Sequence, residues 1–439
     1  YHEEYKTWLD WINGMLFTDK GLYMARSFET GWQQIYFLSY DGKTLKRLTD
    51  GPNWRVELLR TDKDGSVYYT ACRDASVRQC LYKVNAAGEI KALTDTSLNV
   101  NSVSFAPDGK HFIAALSNFT TPVQLWMYET SSAAEAWKAR RMLASSDKKA
   151  KRYNARPANT AYLVADMKGN DYNAANYALP QLIYIENDGL KLPAYIVYPE
   201  NFDPSKKYPV HVDIYGGPDS PQVRDRWIHP YSNNQWWAKN GIIEVTADCR
   251  AAGNNGREGL DQIYKHLNTK EVEDFVAWAK YLQSLPYVQA DKIGVEGFSF
   301  GGTMTAMLLF TASDYYHYGI AGGGVYDWIL YDSHYTERFM ETPQTNPEGY
   351  RDSRVISYAS QYKPTFDGDE SVMLKITHGT GDDNVHFQST MQLIDELQKH
   401  GKKFEFMIYP DGMHGYRGYQ GKHFLEANHD FWLHYLCGK

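Results

Sequence analysis

Cysteine is scarce in this chain, at four residues in 439. That is too few for a disulfide framework. Cys72 and Cys80 flank a hairpin and could bridge across it, while Cys249 and Cys437 have no evident partners, so the redox compartment stays open. Long apolar runs are absent: none approaches the ~20 residues of a membrane-spanning helix. Positive charge is not in excess either. Lys and Arg number 46 against 53 Asp and Glu, for a formal charge of −7, with no basic stripe, which argues against nucleic acid as a partner. No constellation of metal-ligand type appears, and neither a metal nor another cofactor is expected. The chain starts at Tyr1 rather than Met and shows no signal peptide, from which we expect that a leader or more has been removed.

Apolar residues make up 43% of the chain and aromatics 15%, with 35 tyrosines. That is ample for two or three domains with sizeable cores. The most telling stretch is Gly297-Phe298-Ser299-Phe300-Gly301-Gly302. It follows an apolar run ending at Val295 and precedes a helical one, Thr303 to Phe310. A Gly-x-Ser-x-Gly between strand and helix places the serine on a sharp turn with its hydroxyl exposed.

A serine hydroxyl needs a base, and the base needs an acid to orient it. Both follow Ser299 in the chain. The strand Val372–Ile376 leads to His378-Gly379-Thr380-Gly381-Asp382-Asp383-Asn384, and the strand Phe404–Tyr409 leads to Asp411-Gly412-Met413-His414-Gly415. An acid and a histidine thus sit at the C-terminal ends of successive strands, where open α/β sheets place their chemistry. Spacing alone does not choose between Asp382 and Asp383. Among 14 histidines, His414 fits order and loop position better than His378, His386, His429 or His434. One oxyanion donor would be the Phe300 amide. The other would come from Tyr215-Gly216-Gly217-Pro218, after the strand Val210–Ile214, through either backbone N–H groups or the Tyr215 phenol.

Four stretches carry a resemblance: Asp213-Ile214-Tyr215-Gly216-Gly217-Pro218, the Ser299 elbow, Tyr331-Asp332-Ser333-His334-Tyr335-Thr336-Glu337-Arg338, and His378 through Gln388. The chain resembles the prolyl oligopeptidase family of serine peptidases, in its dipeptidyl peptidase IV-like branch, over about residues 180–437. The resemblance implies Ser299 as nucleophile, His414 as base and Asp382 as orienting acid, with Tyr215 and Phe300 forming the oxyanion hole. Val325, Trp328, Tyr331, Tyr335 and Val385 would wall the pocket for the residue before the cut bond, and Asn384 would bind the substrate backbone. An aromatic box of that kind suits a proline ring. The implied activity is cleavage after proline or alanine near the N-terminus of peptides. The alternatives are release of tripeptides, or an acylaminoacyl peptidase or esterase on the same scaffold. Peptides with proline at the penultimate position are the expected partners. The resemblance further implies a homodimer through the hydrolase domain and a periplasmic or secreted location. Phe298 and Phe300 depart from the usual Trp and Tyr, Ala251 replaces a Gly after Arg250, and His334 replaces an apolar residue. In relatives the equivalent of Cys437 pairs with a cysteine that would fall at Tyr318, so that bridge cannot form here.

The first third repeats itself. Gln34-Ile35-Tyr36-Phe37, Asp41-Gly42-Lys43 and Arg47-Leu48-Thr49-Asp50 return about 45 residues later as Gln79-Cys80-Leu81-Tyr82, Ala87-Gly88-Glu89 and Ala92-Leu93-Thr94-Asp95. Such a period is that of a β-propeller blade. About three blades fit before residue 130, fewer than the four a closed propeller needs, so we expect an N-terminally incomplete propeller. The expected fold is therefore a partial N-terminal β-propeller over residues 1–130, a connecting segment over 131–180 with a helix from Ala133 to Met142, and a C-terminal α/β-hydrolase over 181–439, a doubly wound, mostly parallel sheet. Glu3-Glu4 reads as surface charge, not as an anchor for a substrate amine.

Overall fold

The structure is a computed structural model and describes residues 1–138, 161–170, 172–229, 232–364 and 372–439. The chain divides into two compact units. One comprises Tyr1–Leu179 with Arg224–His229, and the other comprises Pro180–Val223 with Pro230–Lys439.

The first unit holds three four-stranded antiparallel meanders. They are β1 (Leu16–Phe17), β2 (Gly21–Arg26), β3 (Gln34–Ser39) and β4 (Leu45–Arg47); β5 (Trp54–Thr61), β6 (Val67–Cys72), β7 (Gln79–Val84) and β8 (Ile90–Ala92); and β9 (Asn99–Phe105), β10 (His111–Asn118), β11 (Thr121–Glu129) and β12 (Ala161–Asp166). The 45-residue repeat places Gln34 and Gln79 at the head of the third strand of successive sheets. Apolar residues between neighbouring sheets close the cores: Ile35, Val67 and Tyr69 between the first and second, and Leu81, Phe112 and Tyr128 between the second and third. The third sheet reaches past residue 130. Its outer strand β12 pairs with β11, so the segment read as connecting supplies a blade strand. Residues 133–138 are helical; the rest of the expected helix, and the polar stretch up to Asn159, lie outside the described residues.

Two expectations change here. Glu3 is not surface charge: its carboxylate takes two hydrogen bonds from Arg26, at 2.7 and 2.8 Å. Arg26 is only 2% exposed, and a guanidinium so deep needs a paired acid. Glu4 is exposed, as expected. No disulfide joins any of the four cysteines. Cys80 lies opposite Ala71 and Cys72 opposite Gln79, and since strand side chains alternate, Cys72 and Cys80 point to opposite faces.

The second unit is built on one eight-stranded sheet in the order β13-β14-β16-β15-β17-β18-β19-β20. Its strands are β13 (Gln181–Asn187), β14 (Leu190–Val197), β15 (Tyr208–Ile214), β16 (Ile243–Ala247), β17 (Val288–Phe298), β18 (Tyr318–Gly322), β19 (Met373–Gly379) and β20 (Glu405–Tyr409). The first two join antiparallel. From β16 onward every pairing is parallel. Burial along the whole length of a strand, as at Ile243–Ala247, marks strands covered on both faces. The covering helices include α1 (Asn233–Lys239), α2 (Lys270–Ser284), α3 (Phe300–Thr311), α4 (Ser333–Met340), α5 (Gln388–Lys399) and α6 (Gly418–Cys437). Helix α2 turns Phe275, Trp278, Ala279 and Leu282 inward, the face its 3.6-residue period predicts. On α6, Phe431, Trp432, Tyr435 and Leu436 join Ile320 and Met373 in one core. Tyr318, which stands where the bridge to Cys437 is lost, stacks on Tyr435 at 5.3 Å.

Candidate active site

Ser299 occupies the turn from β17 into α3 with φ 60° and ψ −122°, a conformation that L residues seldom adopt. The neighbouring chain holds it there. Its N–H donates to the Gly322 carbonyl on β18 at 2.8 Å, and its carbonyl accepts from Thr303 at 3.1 Å. A Cβ on Gly297 would lie 2.5 Å from the Gly301 carbonyl carbon, and one on Gly302 would run into the Gly322 carbonyl oxygen. The glycines of the motif are therefore steric requirements of the strand–helix approach.

The loop after β19 carries the acid. Asp382 is buried and Asp383 exposed, which separates the two neighbours that spacing left equivalent. One Asp382 oxygen accepts the N–H groups of Asn384 at 3.0 Å and Val385 at 2.9 Å. The other lies 2.7 Å from His414 Nδ1 and 3.3 Å from His378 Nε2. Burial alone would raise this carboxyl, but the hydrogen bonds from His378 and His414 outweigh it and hold the group well below the usual carboxylate range. His414 Nδ1 donates to an acceptor-only carboxylate, which leaves Nε2 as the basic nitrogen.

Ser299, His414, Tyr215, Phe300, Val325, Trp328, Tyr331, Tyr335 and Asn384 line one cavity of about 470 Å³. No hydrogen bond joins the Ser299 and His414 side chains; such contacts are often loose before substrate closes them. Burial raises the Tyr215 phenol, and a hydrogen bond with the Ser299 side chain pulls the other way, so the two hydroxyls are neighbours. The aromatic wall is continuous. Trp328 lies 5.5 Å from Phe300 and 6.3 Å from Tyr335, and Tyr331 meets Tyr335 edge-on at 5.4 Å. The Tyr331 hydroxyl donates to Asn384 Oδ1 at 2.6 Å, fixing that amide beside the box. Asp327 caps the short turn that carries Trp328, and Asp332 caps α4, which carries Tyr335.

Val385 is the exception among the expected residues. It is buried and absent from the cavity wall. Its backbone works behind the site, with its N–H on Asp382 and its carbonyl 2.8 Å from His378 Nε2. His378 was passed over because it precedes the loop. It is fully buried, and its Nδ1 lies 2.6 Å from Thr390 Oγ1. Both acceptors at Nε2 require the proton there, so the ring braces the acid from behind. Its place as the penultimate residue of an apolar strand, four before Asp382, was the available signal. Asp213 was also missed, and it too lines the cavity. It stands two residues before Tyr215 and so shares its face of the strand.

The family model of the prolyl oligopeptidase family matches residues 228–439, and that of the dipeptidyl peptidase IV N-terminal region matches residues 1–123. The chain belongs to the prolyl oligopeptidase family. Its eight-stranded unit is an α/β-hydrolase domain, and its three N-terminal sheets are β-propeller blades. A probable dipeptidyl peptidase 4 of Emericella nidulans is 33% identical over 92% of this chain and 49% of its own length. A probable dipeptidyl-aminopeptidase B of Uncinocarpus reesii is 32% identical over 91% of this chain and 41% of its own. Among solved structures, Porphyromonas gingivalis dipeptidyl peptidase 4 superposes with a TM-score of 0.81 at 29% identity, over 96% of this chain and 56% of that one. The chain thus spans about half the length of the relatives it matches.

Proposed function

We propose that this protein is a serine peptidase of dipeptidyl peptidase IV type, which cuts after a proline or alanine near the amino end of a peptide. The observation that carries this reading is the sharing of one cavity wall by Ser299, His414, Tyr215 and the Trp328–Tyr331–Tyr335 box. A rigid proline ring offers apolar area to such a box and loses little entropy on entering it.

Ser299 Oγ attacks the carbonyl carbon of the boxed residue, and its proton passes to His414 Nε2. Asp382 keeps the ring oriented and stabilises the imidazolium. The oxygen that becomes negative takes hydrogen bonds from the Tyr215 hydroxyl and the Phe300 amide at the start of α3. Collapse expels the amine, which collects the proton from His414 and leaves an acyl ester on Ser299. Water, activated by the same histidine, then releases the acid. Asn384 holds the substrate backbone beside the box. Release of dipeptides rather than tripeptides rests on the printed names of the relatives. The family resemblance also supports a periplasmic or secreted location and a homodimer, the latter to be read from sedimentation. Among the described residues no helix is long and apolar enough to cross a membrane.

Turnover of a Gly-Pro p-nitroanilide, its N-acetylated form and a short-chain ester tests the proposal. Cleavage of the free-amine substrate alone is expected. Turnover confined to the blocked amide or the ester would replace it with an acylaminoacyl peptidase or an esterase.

A further inference from the structure

A second cavity of about 560 Å³ lies in the hydrolase unit and shares Asp213, Phe298 and Gly415 with the first. Its polar wall comes from strand register. His211 faces Glu244 across β15–β16, and Asp213 faces Glu296 across β15–β17. The His211 ring lies 2.6 Å from Glu244 and 3.3 Å from Glu296, so its charge is already matched. Glu296 further accepts from Trp432 Nε1 and Asn428 Nδ2, each at 2.8 Å. The lining residues include three carboxylates and no lysine or arginine.

Two acceptors there remain without a protein donor. The Asp213 carboxylate makes no hydrogen bond or ion pair among the described residues. Asn428, 3% exposed, turns its Nδ2 to Glu296, and its Oδ1 has no partner. The buried Asn428 oxygen and the half-buried Asp213 carboxylate beside it offer acceptors to an incoming donor. Trp237, Trp432, Tyr416 and Phe424 supply apolar and π surface around them, which suits the stem and head of a long cationic side chain.

The position of this cavity relative to the chemistry follows from the two aromatics flanking Ser299. Phe300 leans on Trp328 of the proline box. Phe298 instead packs beside the base, 5.1 Å from His414. His414 hands its proton to the departing amine, so the leaving peptide runs out past His414 and Gly415. Phe298 and Gly415 are also the rim of the second cavity.

We infer that the second cavity receives an arginine or lysine side chain from one of the first two residues of the leaving peptide, its head between Asp213, Glu296 and Asn428. The inference rests on the peptidase reading and adds a substrate class to it.

The test compares kcat/KM at pH 8 for Gly-Pro-Arg-Gly and Gly-Pro-Gly-Arg with their norleucine and glutamate counterparts, beside Gly-Pro p-nitroanilide. Charge-assisted hydrogen bonds predict an arginine advantage over norleucine of about tenfold or more at one position. That ratio, taken within each protein so that general losses cancel, should collapse in Glu296→Gln and, should that variant not fold, in Asp213→Asn. Equal rates for arginine and norleucine at both positions, with the anilide still cleaved, overturn the inference and leave the peptidase reading standing. An arginine preference that survives both substitutions overturns the assignment to this cavity. No turnover of any of these substrates overturns both.

Discussion

Asp213→Asn should stabilise the hydrolase unit in a pH-dependent way. The Asp213 carboxyl is half-buried, lines two cavities and makes no hydrogen bond among the described residues. Burial, with the nearby Glu244 adding to it, pushes the carboxyl up to about 7, against an ordinary value of about 4. The folded state therefore holds the proton more tightly than the unfolded chain. The resulting stability is fully present below the unfolded value and drains away as pH rises through the folded one. Across the whole window the loss is ~4 kcal/mol, and between about pH 5 and pH 8 it is ~2–3 kcal/mol. An asparagine carries no such penalty, so the stability gap between variant and wild type should move in the variant's favour by that amount. Urea unfolding at both pH values gives the gap, and hydrogen exchange of β17 amides reads the hydrolase unit by itself. A gap independent of pH, or one that moves towards wild type at the higher pH, would refute the reasoning.

Further expectations concern the site and the first unit. Tyr215→Phe removes one oxyanion donor and should cost about 10²–10³ in kcat with little change in KM; a loss confined to KM would place the phenol in ground-state binding instead. Asp382→Asn should leave His414 in place but disfavour its working tautomer, with a kcat loss of about 10⁴, and a milder loss would mean that His378 and the loop amides orient the ring without the charge. Glu3→Gln strands the buried Arg26 guanidinium and should destabilise the first unit by ~2–4 kcal/mol in urea titration. A change within ~0.5 kcal/mol would show that the carbonyls of Asp10 and Trp11, which Arg26 also reaches, suffice.

The sequence made the catalytic geometry legible because its signals are local. Gly297 is dictated by Gly301, four residues on, while Gly301 and Gly302 are dictated by the backbones of Ile214 and Gly322 on adjacent strands, yet all three glycines fall within one short motif. The acid and the histidine follow strands that the apolar pattern marks. Trp328, Tyr331 and Tyr335 stand at helical spacing, yet a capped turn ending at Leu330 carries Trp328, a separate helix starting at Ser333 carries Tyr335, and Tyr331 lies in extended backbone between them. Only the resemblance distinguished that arrangement from core packing. The blade repeat located the β3 and β7 strands, but the outer strand of the third sheet enters after residues 139–160, which no periodicity spans. Glu3 was misread for a related reason: its partner Arg26 lies 23 residues away, and a charged pair near the chain start carries no pattern that says it is buried.

The polar face behind the elbow was illegible for a stronger reason. His211, Asp213, Glu244 and Glu296 each interrupt an otherwise apolar strand, and singly each looks like an ordinary concession to an edge or a strand end. Their meaning lies in pairing. Register sets His211 beside Glu244 and Asp213 beside Glu296, and the sheet order β16-β15-β17 is not sequence order. Ionisable groups on three adjacent central strands, all turned to one side, are costly unless their charges are matched. His211 matches part of that charge, and Trp432 and Asn428 bond the Glu296 carboxylate. Asp213, two residues before the phenol of Tyr215, is left over. An unmatched carboxyl that borders the catalytic cavity is better accounted for by an incoming cation than by packing, because an asparagine of nearly the same shape would fill the space without the cost.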